Sequence, residues 1–177
     1  MDKLSEKDIQ SILAKHFWLK GHKICCSNFQ GCGYAETDFM SFTNANFVYS
    51  FEIKISKSDF KNDFKNKKYK HSRLKESKTL TKTTGVPNYF YFVVPYKLVD
   101  LRSVPTYAGL IYINEENKIE VVKKAPRLHS KKCSTFLYKK VLKMFTERYI
   151  FGSSYFGYIN KEKKKQREQT TKPDLDN

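Results

Sequence analysis

The clearest pattern in the chain is the alternation of residues 47–56, FVYSFEIKIS. The odd positions carry apolar or aromatic side chains, namely Phe47, Tyr49, Phe51, Ile53 and Ile55. Because side chains on a strand point to opposite faces with a period of two, this pattern predicts a strand whose odd positions pack into a core. Glu52 and Lys54 then emerge side by side on the opposite face.

A second strand-like run, YAETDFMSF, carries Asp38 fourteen residues before Glu52. The residues between the two runs, Asn44, Ala45 and Asn46, predict a turn because asparagine tolerates the bends that a hairpin needs. A hairpin of this kind would bring Asp38 close to Glu52 and Lys54. Two carboxylates and an ammonium group at one end of a sheet are typical of a divalent-metal hydrolase.

The remaining periodic segments predict an α/β fold with a central mixed β-sheet flanked by helices. Helices are predicted at residues 5–20, 58–75 and 130–149, and further strands at 23–29, 88–95, 108–114 and 118–123. The element order is therefore α-β-β-β-α-β, followed by more strands and a helix. Residues 1–160 are predicted to form a single domain, and residues 161–177 a charged, disordered tail.

The net charge of the chain indicates which class of partner it binds. The chain of 177 residues has 34 basic and 18 acidic residues, a formal net charge of +16, which indicates a polyanionic partner such as nucleic acid. Residues 53–82 hold eleven Lys or Arg and three acids, a local excess of +8 beside the predicted strand of Glu52. No apolar run approaches the roughly 20 residues of a membrane span, and the N-terminus is not typical of a signal peptide. We therefore expect a cytoplasmic protein.

At this point the chain resembles a known family. Asp38 followed by Glu52-Ile53-Lys54, with a helix ahead and a basic helix behind, resembles the PD-(D/E)XK nuclease superfamily. The segments EIKISKSDFKNDF, PNYFYFVVP and YAGLIYI resemble its MmcB-like branch of bacterial and phage proteins associated with DNA repair, over residues 5–128. The resemblance implies a restriction-endonuclease-like α-β-β-β-α-β core and Mg²⁺- or Mn²⁺-dependent hydrolysis of DNA. Thr37 departs from the pattern, which has Pro before the aspartate.

Each residue of the predicted site has a chemical role. Carboxylates are the oxygen ligands that Mg²⁺ prefers, so Asp38 and Glu52 are the candidate metal ligands, and the resemblance implies the Ile53 carbonyl as a third. Lys54 would orient the attacking water or neutralise the developing negative charge. Glu36 and Glu6 are candidate accessory acids. The alternatives are that Glu36 caps a loop and that Glu6 is a solvated acid favoured by the helix dipole.

The predicted basic helix supplies the candidate nucleic-acid contacts. Its lysines would neutralise phosphates without reading the sequence, and its tyrosine could stack on a base or a sugar. The predicted contacts are Lys57, Lys61, Lys65, Lys67, Lys68, Tyr69, Lys70 and Arg73. DNA is the expected partner, RNA is not excluded, and a homodimer is left open.

Two other readings compete with the nuclease. Charge alone predicts binding, so the chain could be a catalytically silent nucleic-acid-binding or partner-binding protein that keeps the fold. In that case Glu52 and Lys54 would be an exposed pair of little energetic consequence. A membrane-surface protein is the more distant alternative, because the apolar stripe of the basic helix is thin for that role.

Overall fold

The computed structural model describes residues 4–30, 36–79 and 85–152. Six strands and four α-helices make up the described fold, with a short 3-10 turn between β4 and β5. In chain order they are α1 (Glu6–Leu19), β1 (Ile24–Phe29), β2 (Thr37–Phe42), β3 (Val48–Ile53), α2 (Lys57–Asn66), α3 (Lys68–Lys75), β4 (Tyr89–Pro95), the 3-10 turn (Leu101–Ser103), β5 (Gly109–Ile113), β6 (Ile119–Lys123) and α4 (Thr135–Phe151).

The six strands form one mixed sheet in the order β1-β2-β3-β4-β5-β6. The pairs β1–β2, β2–β3 and β5–β6 are antiparallel, whereas β3–β4 and β4–β5 are parallel. The helices α2 and α3 form the crossover between the parallel strands β3 and β4, as parallel pairing requires a long connection. The carboxyl ends of β3, β4 and β5 therefore lie at one edge of the sheet.

Each face of the sheet is covered by helices. On one face α1 packs Ile9, Leu13 and Phe17 against a core that includes Phe51 and Ile53 of β3. On the other face, the core joins side chains of α2 and α3 to β4 and β5, with Phe60, Leu74, Phe90, Phe92, Val94, Leu110 and Tyr112 among its members. The result is a helix–sheet–helix sandwich in which β3 is buried on both sides.

The predicted fold class and element order are confirmed, with two corrections near the site. The basic segment predicted as one helix is two, because the helix breaks at Lys67, whose φ and ψ of −113° and 38° are not helical. The first of the two helices is capped by the Ser56 side chain. The even-numbered face of β3 is not exposed either: Glu52 is 0% and Lys54 6% accessible, because α2 and α3 cover them.

The chain divides into two compact units, residues 1–137 and 138–177. The first unit holds all six strands and α1 to α3. Of the second unit, the structure describes residues 138–152, which form the greater part of α4. The predicted tail, residues 161–177, and its boundary at residue 160 lie outside the described residues. In the part of the chain that the structure describes, no helix is both long and apolar enough to cross a membrane.

Candidate active site

Asp38 lies beside the strand that carries Glu52 and Lys54. In the antiparallel β2–β3 pair, Phe39 is opposite Phe51, so the same register places Asp38 next to Glu52. The carboxylate Oδ2 of Asp38 accepts a hydrogen bond from the backbone N–H of Ile53 at 2.6 Å. Burial and the nearby charge of Glu52 together raise the pKa of Asp38 to about 7. The two predicted carboxylates are therefore brought together.

Glu52 is fully buried and is surrounded by ammonium groups. The Nζ atom of Lys54 donates a hydrogen bond to Oε1 of Glu52 at 3.0 Å. Lys67 donates to the same oxygen, and Lys70 donates to Oε2. Lys67 lies at the break between α2 and α3, and Lys70 follows it by three residues. Both side chains reach Glu52 from the face of the sheet that α2 and α3 cover.

A second buried carboxylate, Asp63 of α2, completes the ion cluster. Its Oδ1 lies 3.1 Å from Nζ of Lys54 and 3.3 Å from Nζ of Lys67. Neither contact has the angles of a hydrogen bond, so the attraction is that of an ion pair. Its Oδ2 is hydrogen-bonded to Nε2 of His71 at 2.8 Å, and Nδ1 of His71 to the hydroxyl of Tyr107 at 2.9 Å.

The pairing sets the protonation of this cluster. Burial by itself lowers the pKa of Lys54, but the charges of Glu52 and Asp63 outweigh it and raise the pKa above its usual value. Burial likewise raises the pKa of Asp63, but the hydrogen bond to His71 and the charge of Lys54 bring it below its usual range. Lys54 is therefore held as a cation near neutral pH, so it can neutralise or orient but not accept a proton.

The cluster sets carboxylates against ammonium groups. Four carboxylates, those of Asp38, Glu52, Asp59 and Asp63, lie close to the ammonium groups of Lys54, Lys67 and Lys70. Removing ions from water costs several kcal/mol each, and only close partners of opposite sign offset that cost.

The two accessory acids lie at the margin of the cluster. Glu6 is exposed, but the part of it that is covered raises its pKa; the charge of Lys54 opposes that shift, and the charges of Glu36 and Glu52 add to it. These effects require Glu6 of α1 to be within electrostatic reach of the site. Its Oε1 accepts a hydrogen bond from Gln10 at 2.9 Å, and Gln10 also donates to the backbone carbonyl of Asp38. Glu36 is exposed.

The predicted nucleic-acid contacts fall into two groups. Five of them are exposed on α2 and α3, namely Lys57, Lys61, Lys65, Lys68 and Tyr69. Arg73 is half-buried and donates a hydrogen bond to the Tyr69 hydroxyl at 3.2 Å. Lys67 and Lys70 were also predicted to lie on that surface, but their ammonium groups turn inward to Glu52. Lys70 is only 6% accessible. The Lys70 ammonium is buried and paired, so it cannot bind a phosphate on the surface, whereas the Lys67 side chain is paired but remains 28% accessible.

Sequence reasoning missed Asp63 and its partners His71 and Tyr107. A signal was present, because Asp59 and Asp63 are four residues apart and so share one flank of a helix. Asp59 is 3.8 Å from Lys54, and Asp63 is closer. Tyr107 had no such signal, because it lies 36 residues from His71 along the chain.

The donor set suits a hard divalent cation with few protein ligands. Among the described residues, no group of three or more His, Cys, Asp or Glu side chains could hold a metal ion. Asp38 uses Oδ2 for Ile53, which leaves Oδ1 available. The N–H and C=O of one strand residue face the same neighbouring strand, so the Ile53 carbonyl lies on the Asp38 side. Mg²⁺ commonly binds through one or two carboxylates plus phosphate and water, which this set can supply.

Comparison with known proteins supports the fold. No protein-family model and no curated protein sequence matches this chain. Among solved structures, the chain is similar to SPO1766, a protein of unknown function from Silicibacter pomeroyi, with a TM-score of 0.56 and 15% sequence identity. The similarity covers 99% of this chain and 100% of that one. At this identity the likeness concerns the arrangement of the strands and helices: the chain is an α/β protein with a six-stranded mixed sheet flanked by helices.

Proposed function

We propose that this protein is a divalent-metal-dependent nuclease that hydrolyses phosphodiester bonds in DNA. The observation that carries the proposal is the position of Asp38, whose carboxylate binds the backbone of Ile53 between Glu52 and Lys54. Two acids and a lysine from neighbouring strands thus meet at the carboxyl end of β3. The exposed lysines of α2 and α3 lie on the same segment of chain and supply positive charge for the substrate.

Each side chain has a distinct part in this chemistry. Asp38 and Glu52 would hold Mg²⁺ or Mn²⁺ through carboxylate oxygens, with the Ile53 carbonyl as a third ligand. The bound ion supplies Lewis-acid stabilisation and a more acidic water. Lys54 stays protonated and neutralises negative charge that develops on the phosphoryl oxygens. Asp63 fixes the position of Lys54 from the other side.

The raised pKa of Asp38 is expected of a carboxyl group that binds a cation. A carboxyl group with a pKa of about 7 is half protonated near neutral pH and becomes fully ionised when a positive ion binds beside it. Metal binding should therefore release a proton below about pH 7, and the apparent affinity should rise about tenfold per pH unit in that range. Above that pH the affinity should level off.

The direct test is a cleavage panel. Purified protein is incubated with duplex, single-stranded and branched DNA and with RNA, in Mg²⁺, in Mn²⁺ and in EDTA. We expect metal-dependent cleavage of at least one DNA substrate and its loss in Asp38→Asn and Lys54→Met. Lys118→Met, which removes an exposed ammonium far along the chain on the β5–β6 turn, is the matched control and should cleave like the wild type.

Equal cleavage by the wild type and by both site variants would mean that a contaminant is responsible, and the proposal would fall. Cleavage that persists in EDTA would contradict the proposed metal dependence. Absence of cleavage on every substrate would favour the second candidate function.

That second candidate is a catalytically silent nucleic-acid-binding protein. The observation that favours it is the occupation of both Glu52 oxygens by Lys54, Lys67 and Lys70, which compete with any metal ion. The silent protein should show salt-sensitive DNA binding in EDTA and no heat of Mn²⁺ binding by calorimetry. The nuclease should show Mn²⁺ binding that Asp38→Asn abolishes.

A further inference from the structure

A cavity of about 570 Å³ lies between α2 and the connection from β4 to β5, and none of its lining residues belongs to the ion cluster. Its positive wall is made by Lys57 and Lys61 of α2 and by Lys97. Its apolar lining includes Leu98, Leu101 and Tyr112. The volume is within the range of small-ligand sites, which are mostly apolar with a few placed polar groups.

The cavity uses the flank of α2 that the candidate active site does not use. Residues four apart share one flank of a helix, so Lys57 and Lys61 lie together. Asp59 and Asp63 face Lys54 instead, at 3.8 and 3.1 Å. Helix α2 thus separates an ion-paired interior from a cavity with unbalanced positive charge.

The three lysines are available to a ligand. All are exposed, and within the described residues none lies within 4.0 Å of a carboxylate oxygen. One acid, Asp100, lines the cavity, but its Oδ1 accepts a hydrogen bond from the backbone N–H of Arg102 at 2.7 Å. The wall therefore keeps an excess of two positive charges over that single carboxylate.

We propose that this cavity binds one nucleotide of a nucleic-acid strand. The lysines neutralise its flanking phosphates, and its base lies against the apolar floor that Leu98, Leu101 and Tyr112 provide. Lysines bind phosphate groups, and an apolar floor accepts the flat face of a base, so this cavity can accept both parts of a nucleotide together. A flat anionic surface such as a membrane would engage the lysines but leave the concave apolar floor empty.

The position of the cavity relates it to the candidate active site. Lys57 follows Lys54 by three residues, and Leu98 also lines a second cavity of about 620 Å³ that Ile55 borders. A strand held in the first cavity is thereby anchored beside the carboxyl end of β3. This proposal rests on the nuclease proposed above and adds a substrate-binding position to it. Binding can be measured without cleavage, so the binding proposal and the nuclease proposal can be tested separately.

The test is oligonucleotide binding by fluorescence anisotropy in EDTA, over a range of salt concentrations. The probe is a labelled single-stranded oligothymidylate. For the triple variant Lys57→Gln, Lys61→Gln, Lys97→Gln we expect weaker binding and a log Kd against log salt slope that is smaller by about 2, the value for three lost phosphate contacts on a single strand. The control, Lys15→Gln, Lys20→Gln, Lys23→Gln, removes the same charge at exposed positions around the end of α1 and should keep the wild-type slope.

A second measurement follows the apolar floor. Methyl resonances of Leu98, Val99 and Leu101 are recorded by NMR with the oligonucleotide, with adenosine monophosphate and with inorganic phosphate. We expect shifts with the oligonucleotide and little change with inorganic phosphate. Unmoved methyl groups, or equal slopes for the two triple variants, would overturn the proposal. Adenosine monophosphate binding as tight as the oligonucleotide would overturn it too, because the cavity would then serve free nucleotides.

Discussion

The two flanks of helix α2 carry charges of opposite sign and face different surroundings. On one flank, Asp63 joins Lys54, Lys67 and Glu52 in a buried network with contacts of 3.0 to 3.3 Å. On the other, Lys57 and Lys61 are exposed beside an open cavity. On the first side, lysines from the neighbouring segments are paired with these acids, so only the second side has positive charge left for a polyanion.

The difference teaches that burial and pairing, not the count of lysines, decide what a basic segment can bind. A buried ammonium needs a carboxylate partner, and removing one partner leaves a charge that water cannot reach. An exposed ammonium has no such constraint and is free to neutralise a phosphate, which releases counterions condensed on the nucleic acid. The predictions below set these two kinds of lysine, and the acids between them, against each other.

The largest effect is expected for Glu52→Gln. The variant keeps the shape of the side chain but leaves three ammonium groups without their shared anion, so the free energy of unfolding should fall by about 3–5 kcal/mol. Urea unfolding followed by circular dichroism measures it. Glu116→Gln, which breaks the exposed pair with Lys118, should cost less than about 1 kcal/mol. Equal losses would show that the buried network is not special.

Asp38→Asn should remove cleavage and yet stabilise the fold as pH rises. The pKa of about 7 means that the folded protein keeps a proton that the unfolded chain has released from about pH 4 upward, so stability falls with pH in that window. The variant lacks this penalty, so its advantage over the wild type should grow to about pH 7 and then level off. Urea unfolding across that range measures it.

The matched control for that pH profile is Glu120→Gln, an exposed carboxylate on β6. Its stability difference from the wild type should not change with pH in the same window. An Asp38→Asn difference that is equally flat would contradict the buried, partly protonated state of Asp38.

Lys70→Met and Lys57→Met should separate the two kinds of lysine. Lys70→Met should lower the free energy of unfolding by about 1–3 kcal/mol, since Glu52 loses a charged hydrogen-bond donor. It should leave the salt slope of nucleic-acid binding unchanged. Lys57→Met should change stability by less than about 0.5 kcal/mol. It should reduce the slope by about 0.7, the value for one contact on a single strand. The reverse pattern would contradict the comparison.

Among the groups that are not fully exposed, the smallest effect is expected for Tyr107→Phe. The variant removes the hydroxyl bonded to Nδ1 of His71 and should cost about 1 kcal/mol in urea unfolding. Tyr96→Phe, on an exposed ring, is the control and should be nearly neutral. A neutral Tyr107→Phe would mean that the chain from Tyr107 through His71 to Asp63 does not hold the cluster.

Much of this fold was predictable because local patterns and tertiary contacts agree. The alternation at residues 47–56 placed Phe51 and Ile53 on one face of β3 and Glu52 on the other, and the structure confirms that assignment. The turn at residues 44–46 and the two strands that form β5 and β6 were also predicted. The hairpin register then follows, which is why Asp38 could be placed near Glu52 from the sequence alone.

The inward turn of Lys67 and Lys70 could not be predicted in the same way. A lysine-rich segment with few apolar residues has the pattern of a solvated helix, and nothing local marks the break at Lys67. The side chains turn inward because a buried glutamate on a distant strand attracts them. Such long-range pairing leaves no periodic trace in the chain.

By itself, the sequence determined the order of helices and strands, the faces of β3 and the strong positive charge, because periodicity and composition act locally along the chain. Only the tertiary structure decided which lysines are paired and which face solvent, and it alone joined Asp63, His71 and Tyr107. Those contacts depend on how distant segments pack over Glu52, where the cost of burying a charge selects the partners.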